Sequence, residues 1–497
     1  MAQLRLDQEA LTAGRRGPVL RRRRGTGSGR PARPPGARRG LLRVLGAGVV
    51  VLALAVAALL GGAVLLRPAT GPDHGARDGG RSGVPGLTTF GRADGAAPGV
   101  AGDLAAGIAR TQQRLASVPH DWPAWAGLGL AYVQQARLTA DPAYYSKAEG
   151  ALRRSLAEHR DGNHLALTGL GALAAARHDF AAALRYGQQA TAIDPYSAVA
   201  HGVMADALVE LGRYPEALAA VQRMLDLRPD TGSLARASYA AELRGDLTRA
   251  RELLTDALEL APSAPDAGFA LYYLGELAWN AGDVATARAR WEDGLRRAPQ
   301  YLPLLVGRAR IAAAEGRYAV AVAGYRAVVA RLPQASYLIE YGDLLAARGK
   351  RAAAAEQYAV VRAEQRLLAR QGVNVDLELA AFDADHGAAK RALVEARAAY
   401  GARRSVAVED ALAWALHANG RDAQALPHAR AALRLGTRSA SFYYHLGMIE
   451  AALGDRAAGR RHLAEALRIN PHFSWVQAPR ARAALARLGG APLGGAR

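Results

Sequence analysis

The feature that most constrains the fold is an internal repeat of about 34 residues. Glycines that follow an alanine-rich apolar segment recur every 33 to 38 residues, at Gly212, Gly245, Gly282, Gly316, Gly349, Gly387, Gly420 and Gly454. Prolines recur in a similar way, at Pro195, Pro229, Pro262, Pro299 and Pro333. A period of this length indicates a repeat architecture, in which each structural unit packs only on its neighbours along the chain.

Residues 196–229 form one such unit, and its pattern predicts a pair of helices. Apolar residues at helical spacing surround Leu208 in the first half and Val221 in the second half. Gly212 lies between the halves and suits a tight turn, because glycine tolerates a positive φ. Pro229 can only follow a finished helix. The repeat therefore predicts a series of antiparallel helical hairpins, each closed by a glycine turn.

These units resemble tetratricopeptide repeats, whose signature is W-x2-L-G-x2-Y followed by alanine, an aromatic residue and proline. Residues 125–132 match the first motif, and the resemblance covers nearly all of residues 120–475. The second unit has His178 where the turn glycine usually lies, and residues 373–437 lack the closing proline. The resemblance implies an all-α fold: a right-handed superhelical solenoid of about ten helix-turn-helix repeats with a concave surface, capped by helices near residues 103–117 and 481–488.

The sequence contains no pattern typical of a catalytic or metal site. It has no cysteine, no H-E-x-x-H motif, no phosphate-binding loop and no nucleophile elbow. The densest histidine group, His159 and His164, has a spacing that does not place both rings on one helix face, so a solvated turn is the simpler interpretation. Because the repeats also leave no room for a further domain, we predict no enzymatic activity, no metal, no cofactor and no small-molecule substrate.

The positive charge is concentrated at the N-terminus. Residues 1–43 contain 12 Arg against two acidic residues, so they carry half of the net charge of +20, and residues 101–497 retain only +9. All but three of the 64 basic residues are Arg, a bias typical of a GC-rich bacterial genome. In the repeats Arg alternates with Asp and Glu, which indicates solvated helix faces. We therefore predict no nucleic-acid partner.

Residues 44–66 predict a membrane-spanning helix. They form 23 consecutive uncharged residues, about 35 Å as a helix against a hydrocarbon core of about 30 Å. Since the arginines precede this segment and the residues after it are nearly neutral, the N-terminus is expected in the cytoplasm and the repeats outside it. Two alternatives remain open: a cleaved export signal, with Arg38-Arg39 as a twin-arginine motif and residues 61–63 as the cleavage site, or a buried core helix.

The prediction for the whole chain has five parts. A disordered basic cytoplasmic tail covers residues 1–43 and the single transmembrane helix covers residues 44–66. A flexible Gly/Pro-rich linker covers residues 67–100, the repeat domain with its capping helices covers residues 101–488, and a disordered tail covers residues 489–497. This organisation places a single-pass protein in the cytoplasmic membrane.

The resemblance also implies which side chains line the concave groove, since that surface is formed by the first helix of each repeat. The corresponding positions here are Asp206, Glu210, Tyr239, Tyr272, Glu276, Trp279, Asn280, Arg310, Asp343, Trp414, His417 and Tyr444. Aromatic and acidic groups together suit a polypeptide with basic and apolar side chains. Alternatively, the aromatic residues pack between helices. The carboxylates of Asp206 and Glu210 could instead lie on a solvated face or form an acid–base pair.

Together these patterns predict a membrane-anchored scaffold or adaptor that binds a polypeptide partner in its groove without catalysis. The alternative is a sensory or regulatory component of a membrane signalling system, or a secreted repeat protein if the N-terminal helix is cleaved.

Overall fold

The computed structural model describes residues 98–489. The predicted basic tail, transmembrane segment and nearly all of the linker lie outside this range, as do residues 490–497. Residues 98–489 form 22 α-helices and no strand. Within this range, no helix is both long enough and apolar enough to span a bilayer.

The helices are α1 Pro98–Ser117, α2 Trp122–Thr139, α3 Ala143–Glu158, α4 His164–Ala176, α5 Phe180–Ile193, α6 Ala198–Glu210, α7 Tyr214–Leu227, α8 Thr231–Leu243, α9 Leu247–Glu259, α10 Ala264–Asn280, α11 Val284–Arg297, α12 Leu302–Ala314, α13 Tyr318–Arg331, α14 Ala335–Ala347, α15 Arg351–Arg370, α16 Asp376–Asp385, α17 Ala389–Ala402, α18 Val406–Ala418, α19 Asp422–Ala432, α20 Ala440–Ala452, α21 Arg456–Ile469 and α22 Gln477–Arg487.

Helices α2 to α21 pair into ten consecutive hairpins, which confirms the predicted number of repeats. Each hairpin turn contains one residue in the left-handed region, with φ between 54° and 88°. In order along the chain these residues are Ala140, His178, Gly212, Gly245, Gly282, Gly316, Gly349, Gly387, Gly420 and Gly454. The eight glycines are those that define the sequence period, and His178 occupies the turn position expected for it. Helices α1 and α22 flank the hairpins, and their role as caps stays a prediction.

Aspartate caps start several second helices directly after the turn. Asp246 follows the turn residue Gly245, and its Oδ1 accepts a hydrogen bond from the backbone N–H of Arg249 at 3.0 Å. Asp283 and Asp455 cap α11 and α21 in the same way. Because such a cap satisfies a backbone donor that the helix leaves free, the Gly-Asp pair fixes where the turn ends and the helix begins.

Glycines let the two helices of a hairpin approach closely around large side chains. Trp291 of α11 is fully buried, and its Nε1 donates a hydrogen bond to the backbone carbonyl of Tyr272 at 3.1 Å. A Cβ on Gly275 would lie 2.1 Å from Trp291 Nε1, and one on Gly307 would lie 2.4 Å from Trp291 Cδ2. The indole therefore fits only because both flanking first helices, α10 and α12, carry glycine there.

Contacts also join residues about 190 positions apart, so successive turns of the solenoid lie against each other. Five side chain hydrogen bonds cross this seam with sequence separations of 191 to 196 residues. They join His178 to Asn374, Arg403 to Glu210, Val406 to Tyr214, Thr437 to Leu243 and Asn470 to Trp279. The turns of the second to fifth hairpins therefore pack on the segments that follow the seventh to tenth hairpins.

Candidate functional site

The predicted groove residues differ widely in exposure. Five are buried: Asp206, Glu210, Trp279, Trp414 and Tyr444. Six are half-buried: Tyr239, Tyr272, Glu276, Arg310, Asp343 and His417. Asn280 is exposed. Most of these side chains contact other parts of the chain, and a partner-binding role for the set stays a prediction.

Asp206 and Glu210 lie in buried ion pairs, so the interpretation as a solvated face is wrong. Asp206 Oδ1 and Oδ2 accept hydrogen bonds from Arg236 Nε and Nη2 at 2.9 and 3.0 Å. Burial raises the pKa of Asp206 to about 6, although Arg236 opposes that shift. Glu210 instead pairs with Arg403 across the seam. Both carboxylates therefore act within the chain, one between adjacent repeats and the other between stacked turns.

Ion pairs join the first helices of three successive repeats. Arg310 of α12 donates through Nη1 to Glu276 Oε1 on α10 at 2.6 Å, and through Nε to Glu340 Oε2 on α14 at 2.9 Å. The hydroxyl of Tyr325 donates to the same carboxylate of Glu340 at 3.0 Å. The predicted groove residues Glu276 and Arg310 are thus brought together, and each balances the charge of the other.

The chain's own C-terminal segment, residues 470–477, lies against predicted groove residues. Asn470 Nδ2 donates to the backbone carbonyl of Trp279 at 2.8 Å, and the rings of His472 and Trp475 lie 6.2 and 6.4 Å from the Trp279 ring. Gln477 Nε2 donates to Asp385 Oδ2 at 2.9 Å. This coverage was not predicted from sequence.

The same carboxylate of Asp385 receives a hydrogen bond from Trp414 Nε1 at 3.1 Å. The ring of Trp414 stacks on His445 with centroids 4.2 Å apart. Tyr444 is also buried, and burial raises its pKa above its ordinary range. At this end of the repeats, Trp414 and Tyr444 therefore pack between helices, as in the alternative interpretation of the aromatic residues.

A cavity of about 250 Å³ remains open between the stacked turns, and we call it the seam cavity. On one side it is lined by Tyr239, Glu242, Trp279 and Asn280 from α8 and α10. Residues 437–442 and Phe473 line the opposite side. Three of the predicted groove residues, Tyr239, Trp279 and Asn280, therefore converge on one space.

Glu242 lines the seam cavity and was not predicted from the sequence as a site residue. Its Oε1 accepts a hydrogen bond from Asn280 Nδ2 at 3.4 Å. Burial raises the pKa of Glu242 to about 7, and the charge of nearby Glu276 acts in the same direction. The signal was present in the sequence, because Glu242 lies three residues after Tyr239 on the same helix and therefore on the same face.

His159 and His164, the densest histidine pair in the sequence, contact different side chains. His159 stacks on Trp122 with ring centroids 4.5 Å apart, and His164 Nδ1 lies 3.4 Å from Asp194 Oδ2. Within residues 98–489, no group of three or more potential metal-ligating side chains is found.

Comparison with protein families identifies the repeats. Family models described as tetratricopeptide repeat match residues 174–242, residues 244–303 and 272–336, and residues 440–473. These segments are therefore similar to tetratricopeptide repeats, and the 22 helices in residues 98–489 form a solenoid of that type. No curated protein matches the chain.

Several solved structures match parts of the chain. The Cut9–Hcn1 hetero-tetramer of APC/C matches with 16% identity over 78% of this chain and 82% of that chain, with a TM-score of 0.38. A thermophilic TPR protein of Thermus thermophilus matches with 22% identity over 38% of this chain and 98% of that chain, with a TM-score of 0.33. Pseudomonas aeruginosa pilF matches with 20% identity over 42% of this chain and 99% of that chain, with a TM-score of 0.34.

Proposed function

We propose that this chain of tetratricopeptide repeats is a membrane-anchored scaffold that binds a polypeptide partner and catalyses no reaction. The observation that carries the proposal is the run of ten hairpins, which fills residues 122–469 and is typical of protein–protein interaction scaffolds. Residues 44–66 are proposed as the anchor in the cytoplasmic membrane, with the N-terminus inside and the repeats outside.

The partner is proposed to bind at the seam cavity rather than along the whole predicted groove. Support comes from the other groove positions, where side chains such as Asp206 and Trp414 are already engaged within the chain. Exposed Asn280 and half-buried Tyr239 border open space instead. A polypeptide crossing the seam would contact two stacked turns at once, which favours binding to the folded solenoid over binding to an isolated repeat.

Membrane topology is tested by fusing alkaline phosphatase after residue 100. We expect an active fusion in the membrane fraction, because the enzyme requires export and the uncleaved helix would retain it. An inactive fusion would contradict export of the repeats. An active fusion released into the medium would contradict the anchor and favour the cleaved export signal.

Partner binding is tested with a photo-crosslinking amino acid at Asn280, next to the seam cavity. A matched control carries the same group at Glu259, an exposed position at the end of α9. We expect a saturable crosslink to a polypeptide from position 280 and none from position 259. Equal labelling from both positions, or none from either, would refute a specific partner at the seam.

A further inference from the structure

The seam cavity contains a carboxylate whose charge no neighbouring cation balances. The one hydrogen bond of Glu242 within the described residues comes from the neutral amide of Asn280, and it is long. No ion pair of Glu242 is found in residues 98–489, although its carboxylate is half-buried. Carboxylates are rarely buried without a cationic partner. Glu242 therefore lacks the positive charge that would normally balance it.

The charged neighbours of the cavity do not supply that positive charge. Glu276 is itself negative and is bound by Arg310, so its effect on Glu242 is repulsive. Arg438 lines the cavity but is exposed, and its charge acts on Glu465. The remaining titratable group at the wall is the phenol of Tyr239, whose pKa burial raises well above its ordinary value, so it stays neutral. Ionisation of Glu242 therefore makes the cavity interior negative.

Aromatic side chains form much of the remaining wall. Tyr239 and Trp279 line one side of the cavity, and Phe442 and Phe473 line the other. Aromatic faces attract organic cations, and they also pack well against the hydrocarbon stem of a Lys or Arg side chain. A carboxylate among aromatic rings thus selects an organic cation over a hydrated metal ion, which prefers a surrounding of oxygen ligands.

The size of the cavity limits how much of a ligand can enter. Its volume of about 250 Å³ lies below the range of about 300 to 1,000 Å³ that is typical of sites enclosing a whole small molecule. One amino-acid side chain is a better match than a complete cofactor. The opening between two stacked turns also leaves room for the rest of a polypeptide outside.

We propose that the seam cavity receives a Lys or Arg side chain of the polypeptide partner, with the cationic group on Glu242 and the stem between the aromatic rings. This inference rests on the proposed scaffold function and adds a chemical requirement for its partner. A basic residue flanked by apolar residues is the segment that fits, since the lining of the cavity also includes the apolar residues Leu243, Leu277 and Val406.

The test uses the purified full-length chain in detergent and short peptides of the form acetyl-Gly-Leu-X-Leu-Gly-amide. X is Arg, Lys, citrulline or Glu, and citrulline matches the shape of Arg without its charge. Because a hydrogen bond between charged groups is stronger than a neutral one, we expect the Arg and Lys peptides to bind about ten- to thirtyfold more tightly than the citrulline peptide, which corresponds to about 1.4 to 2 kcal/mol. The Glu peptide should bind most weakly.

Two variants separate the seam cavity from the rest of the surface. Glu242→Gln removes the charge with almost no change in shape, and we expect it to abolish the preference for Arg over citrulline. The matched control Glu259→Gln removes an equal charge from an exposed site and should keep that preference. Since Glu242 lacks a cationic partner, its neutral replacement should fold as well as the original chain.

Proton release gives a readout that a purely structural role would not produce. Because burial raises the pKa of Glu242 to about 7, a large fraction of the free protein is protonated there at pH 7. A bound cation favours the ionised form, so binding should release protons and become tighter between pH 6 and pH 8. Calorimetry in two buffers of different ionisation enthalpy measures this release, and Glu242→Gln should eliminate it.

Several results would overturn the inference. Equal affinity for the Arg and citrulline peptides, an unchanged preference in Glu242→Gln, or no binding of the Arg peptide at millimolar concentration would each do so. Arg-peptide binding only after deletion of residues 1–43 would mean that the chain's own arginines occupy the cavity. If position 280 crosslinks a partner whose basic residues are dispensable, this inference fails while the scaffold function stands; if no partner is captured, the scaffold function itself fails.

Discussion

Replacing Gly212 by alanine should destabilise two regions of the chain that are almost 200 residues apart. Gly212 has a φ of 76°, and an added Cβ would lie 2.4 Å from the backbone carbonyl oxygen of Arg404 on the facing turn of the solenoid. Alanine in the left-handed region costs about 1 to 2 kcal/mol, and overpacking against backbone adds about 1 to 3 kcal/mol. We expect a total loss of about 2 to 5 kcal/mol in the free energy of unfolding.

Gly316→Ala is the matched control, because it has the same backbone conformation without the contact. Gly316 has a φ of 75°, and an added Cβ there would meet nothing within 4 Å. Its loss should therefore be about 1 to 2 kcal/mol, from the backbone alone. The difference between the two variants isolates the packing of one solenoid turn on the next.

Hydrogen exchange resolved along the chain is the measurement that fits a repeat protein, because long arrays do not always unfold in one cooperative step. Gly212→Ala should reduce amide protection both in α6–α7 and around the start of α18. Gly316→Ala should reduce it in α12–α13 alone. Equal losses confined to the mutated hairpin in both variants would refute the stacked turns.

The sequence predicted the local geometry of the repeats correctly because that geometry is fixed by residues close together in the chain. A glycine with positive φ marks eight of the ten hairpin turns, and the apolar spacing identifies the helices on either side. Even residues 373–437, where the closing prolines are missing, form the regular hairpins α16–α17 and α18–α19. Alanines at the helix crossing, such as Ala392 and Ala425, are fully buried there and preserve the packing without the proline.

The contacts across the seam could not be predicted from the same signal. The pitch of a solenoid depends on a small rotation at every repeat, and these rotations accumulate over about 190 residues before one turn meets the next. The sequence alone therefore predicts Glu210 to be a groove or surface residue, and it does not indicate the partner Arg403, which lies 193 positions away. Likewise, nothing in the local pattern of Trp279 indicates that Asn470 and Trp475 will cover it.

Replacing Arg403 by methionine should produce a large loss of stability, because it removes one partner of a buried ion pair across the seam. Arg403 and Glu210 are only 5% and 3% exposed, and their ion pair crosses the seam with Nη1 and Oε2 2.5 Å apart. Methionine keeps much of the side chain volume but leaves the Glu210 carboxylate buried without a counter-charge. Removing one partner of a buried pair costs about 3 to 5 kcal/mol, so we expect a decrease of that size in the free energy of unfolding at pH 8.

The double variant Glu210→Gln with Arg403→Met is the control. It removes both charges, so it leaves no isolated ion in the seam, and most of the stability should return. Chemical denaturation of the original chain, Arg403→Met, Glu210→Gln and the double variant, followed by circular dichroism, measures this coupling. If the double variant were as unstable as Arg403→Met alone, the packing of the arginine rather than its charge would be the cause, since its guanidinium also lies 4.8 Å from the Phe180 ring.

The pH dependence of the Arg403→Met effect distinguishes charge from packing more directly. Burial raises the pKa of Glu210 even beside Arg403, and the charges of Glu378 and Asp206 act in the same direction. Loss of the arginine should raise that pKa further. Protonation of Glu210 at low pH should therefore stabilise the variant more than it stabilises the original chain. For a carboxyl with a raised pKa in the folded state, the stabilisation is present at low pH and is lost as the pH rises through that value.

The difference in unfolding free energy between Arg403→Met and the original chain should therefore shrink from pH 8 to pH 5. His178 acts in the same direction: its pKa is lowered by burial and also by the charge of Arg403, so loss of the arginine lessens the destabilisation that protonation of His178 causes at low pH. Because the double variant lacks the Glu210 carboxylate, its trend relative to the original chain should be smaller, with contributions from His178 and from the titration of Glu210 in the original chain. A pH-independent difference for Arg403→Met would contradict an ionised Glu210 in the seam, because Glu210 and His178 should both make that difference smaller at low pH.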